Sequence, residues 1–139
     1  MGKVSVTAKI ESLADLYLAD RGELEPDGVR AVDVQQALVD TGATSLSMPL
    51  SLINRLGLKP IRRRNARTSA GVVTVRIFQT VRLTIQGRDC NVDVTELPEE
   101  CPILIGQVPL ELLDFVVDPI AHRLIGNPEH GGEHIIELY

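Results

Sequence analysis

Short runs of alternating apolar and polar residues, broken repeatedly by glycine or proline, constrain this chain more than any other feature. Val4-Ser5-Val6-Thr7-Ala8-Lys9-Ile10 alternates at period two, which predicts a half-buried strand. The same β-rich patterning returns over Val29 to Val39, Val72 to Phe78, Val81 to Ile85 and Cys90 to Val94, with Gln86-Gly87 as the turn between the last two. Leu13 to Leu18 is expected to continue as a strand or short turn that closes at Arg21-Gly22, and Glu23 to Gly28 is a loop rich in charge, Pro and Gly. Arg62 to Arg67 reads as a polar basic loop, and Thr68-Ser69-Ala70-Gly71 as a hairpin tip. Two short helices are expected. Pro49 opens the first, with Leu52, Ile53 and Leu56 on one face and Gly57 as its stop. Pro109 opens the second, with Leu110, Leu113 and Phe115 as apolar contacts and Asp118-Pro119 as its end. His122 to Ile125 and His134 to Tyr139 are predicted as closing strands. Many short strands with two short helices mean a mostly-β barrel or sandwich.

A length of 139 residues fits one domain over 1–139 and leaves no room for two full cores. Aromatic residues make up only 3% of the chain and Trp is absent, so aliphatic side chains must fill the interior. Fourteen basic residues against nineteen acidic ones give a net charge of −5, which argues against nucleic acid or a membrane surface as a bulk electrostatic partner. No apolar run is long enough to span a bilayer, and the first residues lack the apolar stretch of a secretory signal. Cys90 and Cys101 lack CxxC spacing and are too few for a disulfide scaffold, so two reduced thiols in a cytoplasmic protein are expected.

The chemistry concentrates in Ala37-Leu38-Val39-Asp40-Thr41-Gly42-Ala43. An apolar strand delivers an acidic side chain into a turn whose glycine lets another backbone come close. A carboxylate at the end of a buried strand is costly unless hydrogen bonds or a partner charge compensate it. A turn Asp bonded to its own backbone is the simpler reading, and D-T-G arises by chance in roughly a few per cent of chains this long. The tripeptide alone decides nothing.

Its surroundings decide more. The order hydrophobic-hydrophobic-Asp40-Thr41-Gly42-Ala43, hairpin at Ser69-Ala70-Gly71, then Ile103-Leu104-Ile105-Gly106 before a helix resembles the retropepsin-like aspartic proteases. The stretch Gly106 to Asp114, with Asp118-Pro119, is similar to their single-domain, non-viral members. The resemblance runs from about Val29 to Pro128 and implies a small closed β-barrel of the acid-protease type. It also implies an endopeptidase that activates water between two carboxylates, one ionised and one protonated. The sequence holds a single Asp-Thr-Gly and no Asp-Ser-Gly, so an active enzyme must be a homodimer with one Asp40 from each subunit. The resemblance further assigns Thr41 to a cross-axis hydrogen bond and Gly42 to the substrate backbone, with Ala43 completing the motif. Ile105 and Gly106 would support the Asp40 loop from beneath. Ser69, Ala70 and Gly71 would form a flap over an extended peptide or protein substrate bound as an added strand. His134 to Tyr139 is the candidate interface strand. A catalytically silent dimer that binds peptides or assembles larger proteins is the alternative. The single flap glycine, with Val72-Val73 directly after it, favours that alternative; an intact Asp-Thr-Gly favours the enzyme.

Other motifs carry less. His130-Gly131-Gly132-Glu133-His134 matches H-x-x-E-H, but zinc ligation at that spacing needs a helix and two glycines oppose one. Arg62-Arg63-Arg64 with Arg67 could meet acidic substrates, nucleic acid or a partner, yet no aromatic residues stand beside them to stack bases. There is no phosphate-binding glycine loop and no Ser/His/Asp pattern, so no cofactor or metal is expected.

Overall fold

The computed structural model describes residues 3–139; residues 1 and 2 of the expected 1–139 domain lie outside them. The first strand, β1 (Val4–Ser12), turns Val4, Val6, Ala8 and Ile10 inward, as its alternation requires. It pairs antiparallel with β2 (Ala31–Val39) and with the second half of β5 (Gly71–Ile85). From β5 the ladder passes to β6 (Arg88–Leu97), then in parallel to β3 (Leu46–Pro49), then to β7 (Leu104–Ile105), which lies parallel to β2. The pairings therefore close on themselves, giving a mostly-β ring of strands. Among the described residues β4 (Pro60–Thr68) pairs only with β5, and it stands outside the ring. Ile10, Leu46, Met48, Leu83, Ile85, Val94 and Ile105 are among the side chains fully buried inside it. Phe78 and Phe115 are its buried aromatics, so the core is aliphatic as the composition requires.

Three short helices pack on the ring: α1 (Leu13–Asp20), α2 (Leu50–Arg55) and α3 (Gln107–Leu113). The second and third fall where Pro49 and Pro109 place them, although Phe115 lies beyond α3, because Asp114 ends that helix in the left-handed conformation at φ 58°. Phe115 instead opens β8 (Phe115–Asp118), which forms a separate two-stranded sheet with β9 (Arg123–Gly126). No helix among the described residues is long and apolar enough to cross a membrane.

The structure corrects the sequence reading at four further places. Leu13 to Leu18 is helix rather than strand or turn: the Ser12 side chain caps it by accepting from Asp15 N at 3.3 Å. The buried Asp15 carboxylate then binds the Arg30 backbone N–H and guanidinium at 2.8–3.0 Å. Arg62 to Arg67 is the middle of strand β4 rather than a loop; nearly every residue in it is exposed, so no apolar face marks it. Val72–Phe78 and Val81–Ile85 are one strand whose register shifts between Phe78 and Val81. His134 to Tyr139 forms no strand: Ile135 N donates to Asp114 Oδ2 at 3.2 Å and folds the tail against the end of α3.

Candidate active site

β2 carries Asp40 to the rim of the ring. The segment through β7 runs beside it, with Leu38 N donating to Ile103 O at 2.8 Å and Asp40 N to Ile105 O at 3.0 Å. The chain then turns sharply: Gly42 N donates to Asp40 Oδ1 at 2.9 Å and Ala43 N to Asp40 O at 3.1 Å. The far side of this loop rests on the start of α3. Gln107 N and Val108 N donate to Ala43 O and Thr44 O at 2.8 and 2.9 Å, and Gly106 N to Ser45 O at 2.9 Å. The first amides of a helix have no partner inside it, so the Asp40 loop supplies one for the first two residues of α3.

Gly106 makes this approach possible. A Cβ there would stand 2.6–2.7 Å from Ser45 O, Thr44 C and Ala43 O, all backbone atoms. Ile105 beside it is fully buried, and the parallel strand and helix start are hydrogen-bonded to both arms of the loop.

Asp40 is half-buried, and Thr41 and Gly42 are exposed. Among the described residues Asp40 enters no ion pair, and the Thr41 hydroxyl makes no hydrogen bond. A cavity of about 390 Å³ opens at their side, lined by Leu38, Asp40, Thr41, Val117, Pro119 and His122 among others. Sequence reasoning missed the last three. They come from the β8–β9 hairpin, and no spacing rule relates that hairpin to residue 40.

Ser69 and Ala70 link β4 to β5 at the tip of an exposed ribbon. Thr68 Oγ1 accepts from Ala70 N at 3.1 Å and donates to Gly71 O at 2.9 Å, while Gly71 takes φ 107°, which only glycine adopts freely. Among the described residues no hydrogen bond joins this tip to the Asp40 loop. The structure thus brings Asp40, Thr41, Gly42, Ala43, Ile105 and Gly106 together and leaves Ser69, Ala70 and Gly71 on the ribbon.

A family model described as aspartyl protease, of the retropepsin-like kind, matches residues 24–108, well over half of the chain. The chain belongs to that family. The matched span begins before β2, takes in the Asp40 loop, the ribbon and β7, and ends within the first turn of α3. No individually curated protein matches the chain.

The remaining reactive groups lie elsewhere. His130 and His134 of the H-x-x-E-H stretch point to different partners. His130 sits between Asp114 Oδ2 at 2.6 Å and Glu137 Oε1 at 2.7 Å, and His134 Nε2 lies 3.0 Å from Leu112 O. Gly131 and Gly132 between them hold φ of 64° and 80°, so no helix aligns the two rings. Burial pushes the Cys90 thiol up to about 11, helped by Asp89, which keeps it protonated and unreactive at neutral pH.

Proposed function

We propose that the protein is an aspartic endopeptidase that works as a homodimer, with Asp40 of each subunit sharing one water. The observation that carries this reading is the single Asp40 in its Asp-Thr-Gly turn, held from both sides by the β7–α3 segment in a chain of the aspartyl protease family. One carboxylate cannot serve as base and acid in the same step, so a second copy must bring the other. Two carboxylates at close range share a proton, because like charges resist joint ionisation. The ionised one takes a proton from water as it attacks the peptide carbonyl; the protonated one passes its proton to the leaving amine.

The other residues of the turn suit supporting tasks. The Thr41 hydroxyl, exposed and without a hydrogen bond among the described residues, is placed to reach the partner's backbone across the twofold axis. Gly42 leaves the backbone open to an extended substrate, which would bind as an added strand. Ser69, Ala70 and Gly71 would close over that substrate as a flap and exclude water.

The test is a peptide-library cleavage assay from about pH 3 to about pH 8 on the wild type and on Asp40→Asn. The expected result is a bell-shaped profile for the wild type, falling where both carboxylates ionise or both protonate, and no cleavage by a still-dimeric Asp40→Asn protein. Dimers that bind peptides and cut none would establish the silent binding module instead.

A further inference from the structure

The ribbon outside the ring carries a basic edge that the catalytic reading leaves unused. β4 is an edge strand: β5 covers one side, and the other presents a free row of backbone donors and acceptors. Every residue of β4 except Ala66 is exposed. Two ribbon arginines are neutralised within the chain, Arg62 by Asp93 at 2.9 Å and Arg76 by Glu96 at 2.6 Å. Among the described residues Arg63, Arg64 and Arg67 have no carboxylate partner. The register opposes Arg63 to Arg76, Asn65 to Thr74 and Arg67 to Val72, which sets Arg63, Asn65 and Arg67 on one face. Asn65 Oδ1 accepts from Thr74 Oγ1, and its amide NH₂ has no hydrogen-bond partner among the described residues, leaving it a donor. That face offers donors at every second residue, about 7 Å apart, and Arg64 adds a charge on the other face.

We propose that the free edge of β4 binds an extended acidic segment as an added strand, with its carboxylates spaced two residues apart to meet Arg63, Asn65 and Arg67. Resting on the endopeptidase reading, this segment belongs to the substrate protein and lies away from the bond to be cut, so the ribbon selects acidic proteins. Charge complementarity decides the occupant. A second β4 would set arginines against arginines, and the net charge of −5 disfavours a nucleic acid approaching the whole chain. The ribbon's aromatic residue, Phe78, is buried and so cannot stack bases. A peptide strand, unlike either, satisfies the edge's backbone groups and the arginines together.

The probe is a fluorescent peptide of alternating Asp and Thr, its anisotropy measured with full-length Asp40→Asn protein so that cleavage does not intrude. We expect it to bind about tenfold more tightly than the Asn-for-Asp peptide and to weaken with added salt. Replacing Arg63, Arg64 and Arg67 together by Gln should cost about tenfold, since the two exposed ion pairs of Arg63 and Arg67 and the nearby charge of Arg64 are lost. Single Arg63→Gln and Arg67→Gln proteins, each losing part of the effect, cover the case in which the triple variant unfolds. N-methylating the peptide's bonding edge should weaken it comparably. Equal binding of the Asp and Asn peptides, or unchanged binding by a folded triple variant, overturns the proposal; so does indifference to N-methylation or tighter binding of an oligothymidylate of matched charge. A protein that binds the acidic peptide through these arginines and cuts nothing keeps this inference and loses the endopeptidase. One that cuts acidic and neutral substrates alike, with no difference in binding, does the reverse.

Discussion

Asp40 is held by its backbone rather than by a charge. Its own N–H, the Gly42 N–H on its Oδ1 and the α3 amides on the following carbonyls fix the turn, and no cation among the described residues pairs with it. That arrangement leaves the carboxylate available to a second carboxylate, which a neighbouring Arg or Lys would have claimed. Gly106 is the residue on which the arrangement depends most. Gly106→Ala would drive a methyl into three backbone atoms at 2.6–2.7 Å, and backbone cannot step aside as a side-chain tip can. The expected cost is ~1–3 kcal/mol. It should be read as a lowered urea midpoint with an unchanged slope, with peptide cleavage falling further than stability alone explains. An Ala variant as stable and active as the wild type would show that the loop does not rest on α3 in this way.

Among the elements, what the sequence disclosed followed from apolar pattern. β1, β2 and β6 each bury alternate residues or an apolar run, and α2 and α3 begin near a proline, so they could be read. β4 could not, because a strand exposed on both faces has no period to display. The apolar crowd at Leu13, Leu16, Tyr17 and Leu18 obscured α1, although Ser12-x-x-Asp15 is a capping signal that was there to be read. Nothing local could reveal that Asp15 would meet Arg30, fifteen residues on. Removing that carboxylate in Asp15→Ala strands the Arg30 backbone N–H, and a loss of ~1–3 kcal/mol is expected in denaturant unfolding. The tail belongs with these illegible elements, since a charged cluster holds it. The Asp114 carboxyl is lowered to about 2, chiefly by His130, and also by the Ile135 N–H and Asn127. His130 is raised above its usual 6.5 by Asp114 and Glu137, while Arg88 of β6 binds the neighbouring carbonyls of Leu113, Asp114 and Gly132. A raised imidazole stabilises fully below pH ~6.5 and stops doing so as pH rises through its folded value. A lowered carboxyl stabilises above pH ~3.8 and stops as pH falls through about 2. Exchange of the Ile135 amide should therefore be slowest between these limits and quicken on the alkaline side beyond the intrinsic pH effect. His130→Ala should abolish that excess.

At the scale of the whole molecule, the ring of strands closes within one chain, but the catalytic centre proposed for it does not. The ring could be foreseen as mostly β, and the Asp40 turn and Ile105-Gly106, singled out together in the sequence, lie together in the fold. The β8–β9 hairpin beside Asp40 could not be foreseen, since only the folded chain brings Val117, Pro119 and His122 to that cavity. The segment 134–139, expected as a strand, is instead tied to the end of α3 within the subunit through Ile135 N and Asp114 Oδ2. The most direct test mixes wild-type and Asp40→Asn protein at constant total concentration and lets the subunits exchange. If catalysis needs Asp40 from both subunits, activity follows the square of the wild-type fraction, and an equal mixture retains about a quarter of full activity. An equal mixture that retains about half would mean that each subunit cuts alone, and the shared Asp40 pair would be wrong.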